Sequence, residues 1–465
     1  MPDSSPRRAV LVLLATAALL LVSGCSFVVV GRPSAARPPA SDIPAADLSV
    51  VGATDGPVDT LARNALADLE TYWAQQFPDV FGQDFAPLQG GYFSVDPNDV
   101  DPGAYPQGIG CGSDPRDVEG NAFYCQAPDA PNSDSISYDR AFLQELAEQY
   151  GRFIPALVMA HEFGHAIQGR AGYPDFSISV ETQADCFAGA WTGWVADGQA
   201  EHSQIRAPEL DEVLRGYLLL RDPVGTSINQ AAAHGSYFDR ISAFQEGFDA
   251  GPTACRDNFS AQRPYTQGAF DTPEDAARGG NAPLQLAQQF AADALPEFWT
   301  LAFDQVFKET FAPPQLEPFA GTAPDCAGED LDLVFCAEQD LVGYDVEDLV
   351  GPAYEQLDNA DYAVITAASL PYALAAREQL GLSTDDEQAV RSAVCLTGWF
   401  SAVFFDNELR AADISPGDID EAVQFLLSYG TDPSVVPEVA LTGFQLVDLF
   451  RNGFFEGAAA CDVGV

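Results

Sequence analysis

The chain has 465 residues, 47% of them hydrophobic, with 69 acidic against 21 basic side chains and a formal net charge of −48. That length exceeds one ordinary core, so two or three domains are expected. So acidic a surface repels phosphate backbones, which excludes nucleic acid as a partner and leaves solubility as the plain meaning of the charge.

Arg7 and Arg8 precede an apolar run from Ala9 to Val22, followed by SGCS. The run is too short to span a bilayer and suits a signal peptide. LVSGC, with small residues before Cys25, resembles the lipobox at which bacterial lipoproteins are cleaved and acylated. Residues 1–24 are therefore read as a lipoprotein-type signal peptide and Cys25 as the lipidation site. The mature chain is expected outside the cytoplasm, lipid-anchored to the cell membrane or, alternatively, secreted. Residues 25–57, rich in Pro and Ala and without apolar periodicity, read as a tether.

Beyond the tether the chain repeats itself. WAQQFPDVFGQDFAP, residues 73–87, matches WTLAFDQVFKETFAP, residues 299–313, at seven of fifteen positions without a gap. FYC ending at Cys125 answers VFC ending at Cys336, ADCFAG around Cys186 answers AVCLTG around Cys395, and GFDAGPTAC answers GFFEGAAAC. This predicts a tandem duplication: a domain over 58–257, a linker over 258–283 and a repeat over 284–465. Each half carries four cysteines in the same order, as expected of an exported chain held by disulfides. Pairing within halves leaves three connectivities for each. The short loop between Cys111 and Cys125 favours that pair, with Cys186–Cys255, Cys326–Cys336 and Cys395–Cys461 to follow.

The two halves differ in their chemistry. ALVMAHEFGHAIQ aligns with AVITAASLPYALA, so His161, Glu162 and His165 stand opposite Ala368, Ser369 and Tyr372. Glu181 and Asp185 stand opposite Val390 and Val394, and His234 opposite Ala440. The second copy is thus expected to keep the fold and lack the active site. Two of the four histidines in the chain lie in HEFGH, four residues apart on a predicted helix from Phe153 to Gly169. That spacing puts both imidazoles on one side, within reach of one metal ion. Zinc needs a third protein ligand and keeps a fourth position for water. Glu181 and Asp185, four apart on the next predicted helix, supply one ligand and one acceptor for the free N–H of a ligating histidine; the expected order is Glu181 on the metal and Asp185 behind it, with the reverse left open.

HEFGHAIQ, ETQADCFAG and HGSYFDRISAFQEGFDAG, with GCG at 110–112 and FYC at 123–125, resemble the bacterial neutral zinc metallopeptidase family over residues 60 to 256. More broadly, HExxH with a later ExxxD is similar to the gluzincin arrangement. The resemblance implies an α+β, predominantly helical, zincin-like fold and a Zn2+ cofactor. The implied activity is hydrolysis of peptide or protein substrates, with Glu162 as general base on the water. His234 is implied as the donor to the oxyanion. Arg240, read as one place off the family spacing, receives no role. His202 is expected at the surface, and Trp191 and Trp194 in the core. A non-catalytic lipoprotein serving as an interaction scaffold is the alternative. Structural zinc closes all four positions with protein ligands, and no second Cys or His pair stands near HEFGH to do so.

Overall fold

A computed structural model describes residues 43–465 except 261, 328–330, 411–413 and 437–440; the expected signal peptide, Cys25 and Ala440 lie outside the described residues. Helices predominate, with two small sheets. The first half contains α1 (Pro57–Phe81), β1 (Gly91–Val95), β2 (Ala122–Cys125), β3 (Ser135–Asp139), α2 (Arg140–Tyr150), α3 (Ile154–Ala171), α4 (Ser177–Ala196), α5 (Ala207–Leu220) and α6 (Tyr237–Asp257). After α7 (Pro273–Arg278) come α8 (Leu284–Ala302), β4 (Gln315–Phe319), β5 (Leu333–Cys336), β6 (Leu341–Asp345), α9 (Gly351–Gln356), α10 (Asp361–Gln379), α11 (Glu387–Phe405), α12 (Asp418–Tyr429) and α13 (Gly443–Glu456). No helix among the described residues is long and apolar enough to cross a membrane.

The same devices occur in both halves. One sheet has the order β1-β3-β2 and the other β4-β6-β5; in each, the central strand pairs parallel on one side and antiparallel on the other. Asp139 ends one central strand, accepting from Ala141 N and Phe142 N of the helix that follows and from Gly120 N. Asp345 ends the other and accepts from Glu347 N, Asp348 N and Gly321 N. Disulfides join Cys111–Cys125, Cys186–Cys255, Cys326–Cys336 and Cys395–Cys461.

The helix pairs α4–α6 and α11–α13 are each held by one of those disulfides and by two facing glycines. A Cβ on Gly189 would collide with the Phe244 carbonyl oxygen, and one on Gly247 with that of Cys186. In the second half, Gly398 and Gly453 meet the carbonyls of Phe450 and Cys395 in the same way. Only hydrogen fits where one helix backbone lies against the other's carbonyls.

Three expectations change. The tether ends earlier than residue 57: Ala46 N donates to Asn64 Oδ1, Val51 bridges to Phe93, and Val50 is buried, so an irregular segment without apolar periodicity packs onto α1 and the first sheet. The HEFGH helix runs past Gly169 to Ala171 and stops at Gly172, whose φ of 108° is open to glycine. Gly169 stays helical because its bare face lies against Gln126 and Tyr124. The halves, expected as separate domains, share one continuous core that includes Trp73, Phe163 and Phe244 together with Trp299, Phe400 and Phe450.

Their junction is reciprocal. Asp211 of α5 accepts from Gly443 N and Phe444 N at the start of α13, at 3.0 and 2.8 Å. Asp420 of α12 accepts from Phe238 N and Tyr237 N at the start of α6, at 2.9 and 3.2 Å. Each half thus caps a helix of the other, and the rings of Phe238 and Phe248 from α6 pack on Phe450, Phe454 and Phe444 of α13.

Gly189→Ala and Gly398→Ala should each lower stability by about 2 kcal/mol or more, since the added methyl forces two disulfide-tied helices apart. Denaturant midpoints measured on the oxidised protein test this, and unchanged midpoints would show that the helices can separate freely.

Candidate metal centre

The centre begins with a helix–helix approach that the sequence HEFGH makes possible. Gly164 faces α4, where a Cβ would come within 2.9 Å of Ala184 Cα and of its carbonyl oxygen. With nothing between the backbones, α3 and α4 bring their polar residues into one pocket. His161 Nε2 and His165 Nε2 lie 3.2 Å apart. Glu181 Oε2 lies 3.4 Å from the first and 3.7 Å from the second.

The remaining ring nitrogens decide what those atoms can do. His161 Nδ1 donates to Asp185 Oδ1 at 2.8 Å. His165 Nδ1 donates to Gln168 Oε1 at 2.9 Å. The Gln168 amide is oriented by its own donations to Val180 O at 2.6 Å and Gln183 Oε1 at 3.1 Å, which leave its oxygen as the acceptor. With a proton on each Nδ1, both Nε2 atoms present lone pairs to one another and to a carboxylate oxygen. Such a set repels itself until a proton or a cation enters. Burial by itself lowers the pKa of His161, but Asp185, with Glu181 and Glu162 close by, raises it to about 10. Burial raises Glu181, and the two imidazoles in their protonated form more than reverse this, holding it well below the usual carboxylate range. The donor separations match the roughly 3.3 Å edges of a tetrahedron with zinc–nitrogen bonds near 2.0 to 2.1 Å, so the residues fit a zinc ion.

Glu162 is buried beside these donors and is not one of them. Its Oε2 accepts from Tyr124 N, on strand β2, at 2.8 Å. Burial raises its pKa, the two imidazoles oppose that, and Glu181 adds to it; the net shift is upward. Asp185 has no contact with solvent and is shared: Arg240 Nε donates to Oδ2 at 2.7 Å and Nη2 to Oδ1 at 2.9 Å. Burial raises the Asp185 pKa, and Arg240 and His161 bring it below the usual value. The Arg240 guanidinium also donates to Leu220 O and lies 5.5 Å from the Tyr217 ring centroid.

His161, Glu162, His165, Glu181 and Asp185 therefore meet in one place. His234 does not join them through any hydrogen bond or ion pair among the described residues. Its Nδ1 donates to Asp222 Oδ1 at 3.0 Å and its backbone N to Asp222 Oδ2 at 2.7 Å. It nonetheless borders the site, because an added Cβ on the next residue, Gly235, would lie 3.3 Å from Thr182 Cγ2 and from Arg240 Cγ. His202, expected at the surface, is half-buried, its backbone N donating to the carboxylate of Asp68 in α1. Trp191 is fully buried against Phe153, and Trp194 is partly buried beside Tyr72.

Reading the sequence gave no role to Arg240, Gln168, Asp222 or Tyr124. The first had been set aside on spacing, although its helix places it against the one fully buried carboxylate of α4. Gln168, three residues after His165 and one turn along the same helix face, was legible in principle. The Tyr124 contact is made by a backbone N–H and has no residue-type signal.

A helix with HExxH and a carboxylate from the next helix is the donor set of zinc hydrolases that use a glutamate as base. The chain belongs to the family described as "Putative neutral zinc metallopeptidase", which matches residues 9–259, more than half of its length. It is similar to the uncharacterized protein Rv2575 of Mycobacterium tuberculosis, at 30% identity over 33% of this chain and 59% of the relative. It is also similar to the uncharacterized protein YpfJ of Escherichia coli K12, at 27% identity over 31% of this chain and 56% of the relative. The matched region thus spans somewhat more than half the length of these relatives. No solved structure matches the chain.

Asp185→Asn removes the charge that both His161 and Arg240 rest on. It should weaken zinc binding about 10- to 100-fold, measured by competition with a chelating dye. The metal-free variant should lose about 3 kcal/mol of stability in denaturant, because Arg240 is left buried without its partner. Unaltered zinc affinity would remove Asp185 from the centre.

Proposed function

We propose that the protein is a zinc-dependent peptidase acting outside the cytoplasm, with His161, His165 and Glu181 as metal ligands and Asp185 orienting His161. The observation that carries this reading is the convergence of two imidazole lone pairs and one carboxylate oxygen, with a second, separately held carboxylate beside them. Glu181 takes the metal position because its oxygen faces both Nε2 atoms, whereas Asp185 is occupied by an Nδ1–H and a guanidinium.

Zinc bound there supplies a Lewis acid for the scissile carbonyl and for a water molecule. Glu162 takes the proton of the attacking water and gives it to the leaving amine. Its upward-shifted pKa brings it nearer neutrality, where one group serves both transfers. The Tyr124 N–H holds one of its oxygens and leaves the other for the water. His234, fixed by Asp222, is the donor to the developing oxyanion.

The second half is a degenerate copy of the first. Matching sheets, disulfides, facing glycines and reciprocal caps support the duplication, and a zincin-like fold is assigned to each copy with the family. Where the first half has His161, Glu162 and His165, the second has Ala368, Ser369 and Tyr372, all buried in α10. The two copies are assigned to 58–257 and 284–465, with residues 46–51 packed onto the first. Lipidation at Cys25 anchors the chain to the membrane; LVSGC and a disulfide in every matching position support an exported protein.

Elemental analysis should find one zinc per chain, absent from His161→Ala. Glu162→Gln should retain the zinc and the melting temperature yet cleave an unfolded protein such as casein at least about 100-fold more slowly. Wild-type rates in that variant would rule out Glu162 as the base. Cys25→Ser should shift the protein from the membrane fraction to the medium; retention in the membrane would count against the lipid anchor.

A further inference from the structure

Asp361 begins α10, and Asp418 and Glu421 lie in the first turn of α12, in the half without the histidines. All three carboxylates are buried, and each offers an oxygen within 4.8 Å of the others'. One oxygen of each is held by a backbone N–H: Ala282 N donates to Asp361 Oδ2, Ser415 N to Asp418 Oδ2 and Tyr362 N to Glu421 Oε2, each at 2.8 Å. The other oxygens of the two aspartates, Oδ1 in each, are buried without a hydrogen-bond partner. Those residues are only 6% and 4% exposed.

Among the described residues no Lys, Arg or His forms an ion pair with any of the three. The neighbouring acid, Asp420, has already taken Arg221 at 2.9 Å and two backbone N–H groups. Burial pushes all three carboxyls upward, Asp361 to about 6, and repulsion from neighbouring carboxylates adds to it at Asp418 and Glu421. Three buried acids with outer oxygens fixed and inner oxygens unsatisfied are stable only with protons or a cation among them. In the register that sets His161 opposite Ala368, Asp361 stands opposite Ile154, so its carboxylate does not repeat a feature of the first half.

We propose that Asp361, Asp418 and Glu421 bind a hard divalent cation of the calcium type. The donors are all oxygen, without the nitrogen or sulfur that zinc or copper would favour. Three carboxylates can supply several of the six to eight ligands that calcium takes, and a buried set with fixed outer oxygens is ill suited to magnesium, which keeps its water. The ion ties three segments: the strap around Ala282, the start of α10 and the start of α12. Through Asp420 that last turn also caps α6, the helix next to His234. Its role is to secure the seat on which the two halves meet.

The test is calorimetric melting of the zinc-loaded full chain in calcium-free buffer with calcium or magnesium added. For a dissociation constant near 10⁻⁴ M, calcium at about 10 mM should raise the melting temperature by about 3 °C, and magnesium by less. His161→Ala should keep the calcium shift, and Asp418→Asn and Glu421→Gln should abolish it. Both of the latter relieve repulsion without orphaning a cationic partner, so they should melt no lower than the wild type without calcium. The proposal is overturned if calcium leaves the wild type unmoved, which would mean that the three carboxyls share protons instead. It is equally overturned if the shift survives Asp418→Asn, vanishes in His161→Ala, or is matched by magnesium.

Discussion

A carboxylate cut off from water cannot stay ionised unless its oxygens are filled, and the first half is arranged around one such group. Asp185 comes from α4, His161 from α3 and Arg240 from α6, and both Asp185 oxygens are used by the other two. Moving any one of the three helices breaks a charged hydrogen bond in a place where water cannot replace it. The imidazole is thereby held with its Nε2 toward His165 and Glu181. The same contact that holds the helices together sets the tautomer of a donor, so packing and chemistry in this half are not separable.

That arrangement needs helices packed more closely than side chains normally permit. Gly164 brings α3 against α4, and Gly189 with Gly247 brings α4 against α6. The disulfide between Cys186 and Cys255 ties the latter pair some distance along the contact. The second half has the glycines and the disulfide of the α4–α6 pair without the polar residues they serve, which is how a duplicated scaffold relieved of its chemistry would look. The residues opposite His161 and Asp185, Ala368 and Val394, are fully buried and apolar.

Much of this was legible because helical geometry converts spacing into direction. HEFGH specified two imidazoles on one face, and the matching cysteines and glycines specified which segments correspond. The order of Glu181 and Asp185 was not legible, because two acids four residues apart point the same way. The structure distinguishes them by their partners: Asp185 pairs with Arg240, more than fifty residues on, whose position depends on the crossing of a third helix. The Tyr124 N–H on Glu162 was hidden for a different reason: every residue but proline carries that donor. The tether was misjudged because Val50 is buried and the backbone of Val51 bridges to Phe93, neither of which belongs to a periodic element. Separate domains were expected from length, and nothing in local patterning announces that Phe238 and Phe450 face each other across the halves.

The acidic composition has a structural side that a surface reading overlooks. With 69 acids and 21 bases, most carboxylates have no Lys or Arg to pair with, and at several buried acids backbone N–H groups take the cations' place. Asp139, Asp211, Asp239, Asp345 and Asp420 are all used in this way, two of them to hold one half against the other. A helix start offers only a few free N–H groups, so the supply runs out where acids crowd. At Asp361, Asp418 and Glu421 one N–H serves each carboxylate and two inner oxygens are left over. None of the chain's 21 basic residues forms an ion pair with the cluster among the described residues, so its balance depends on protons or on a cation taken from solution.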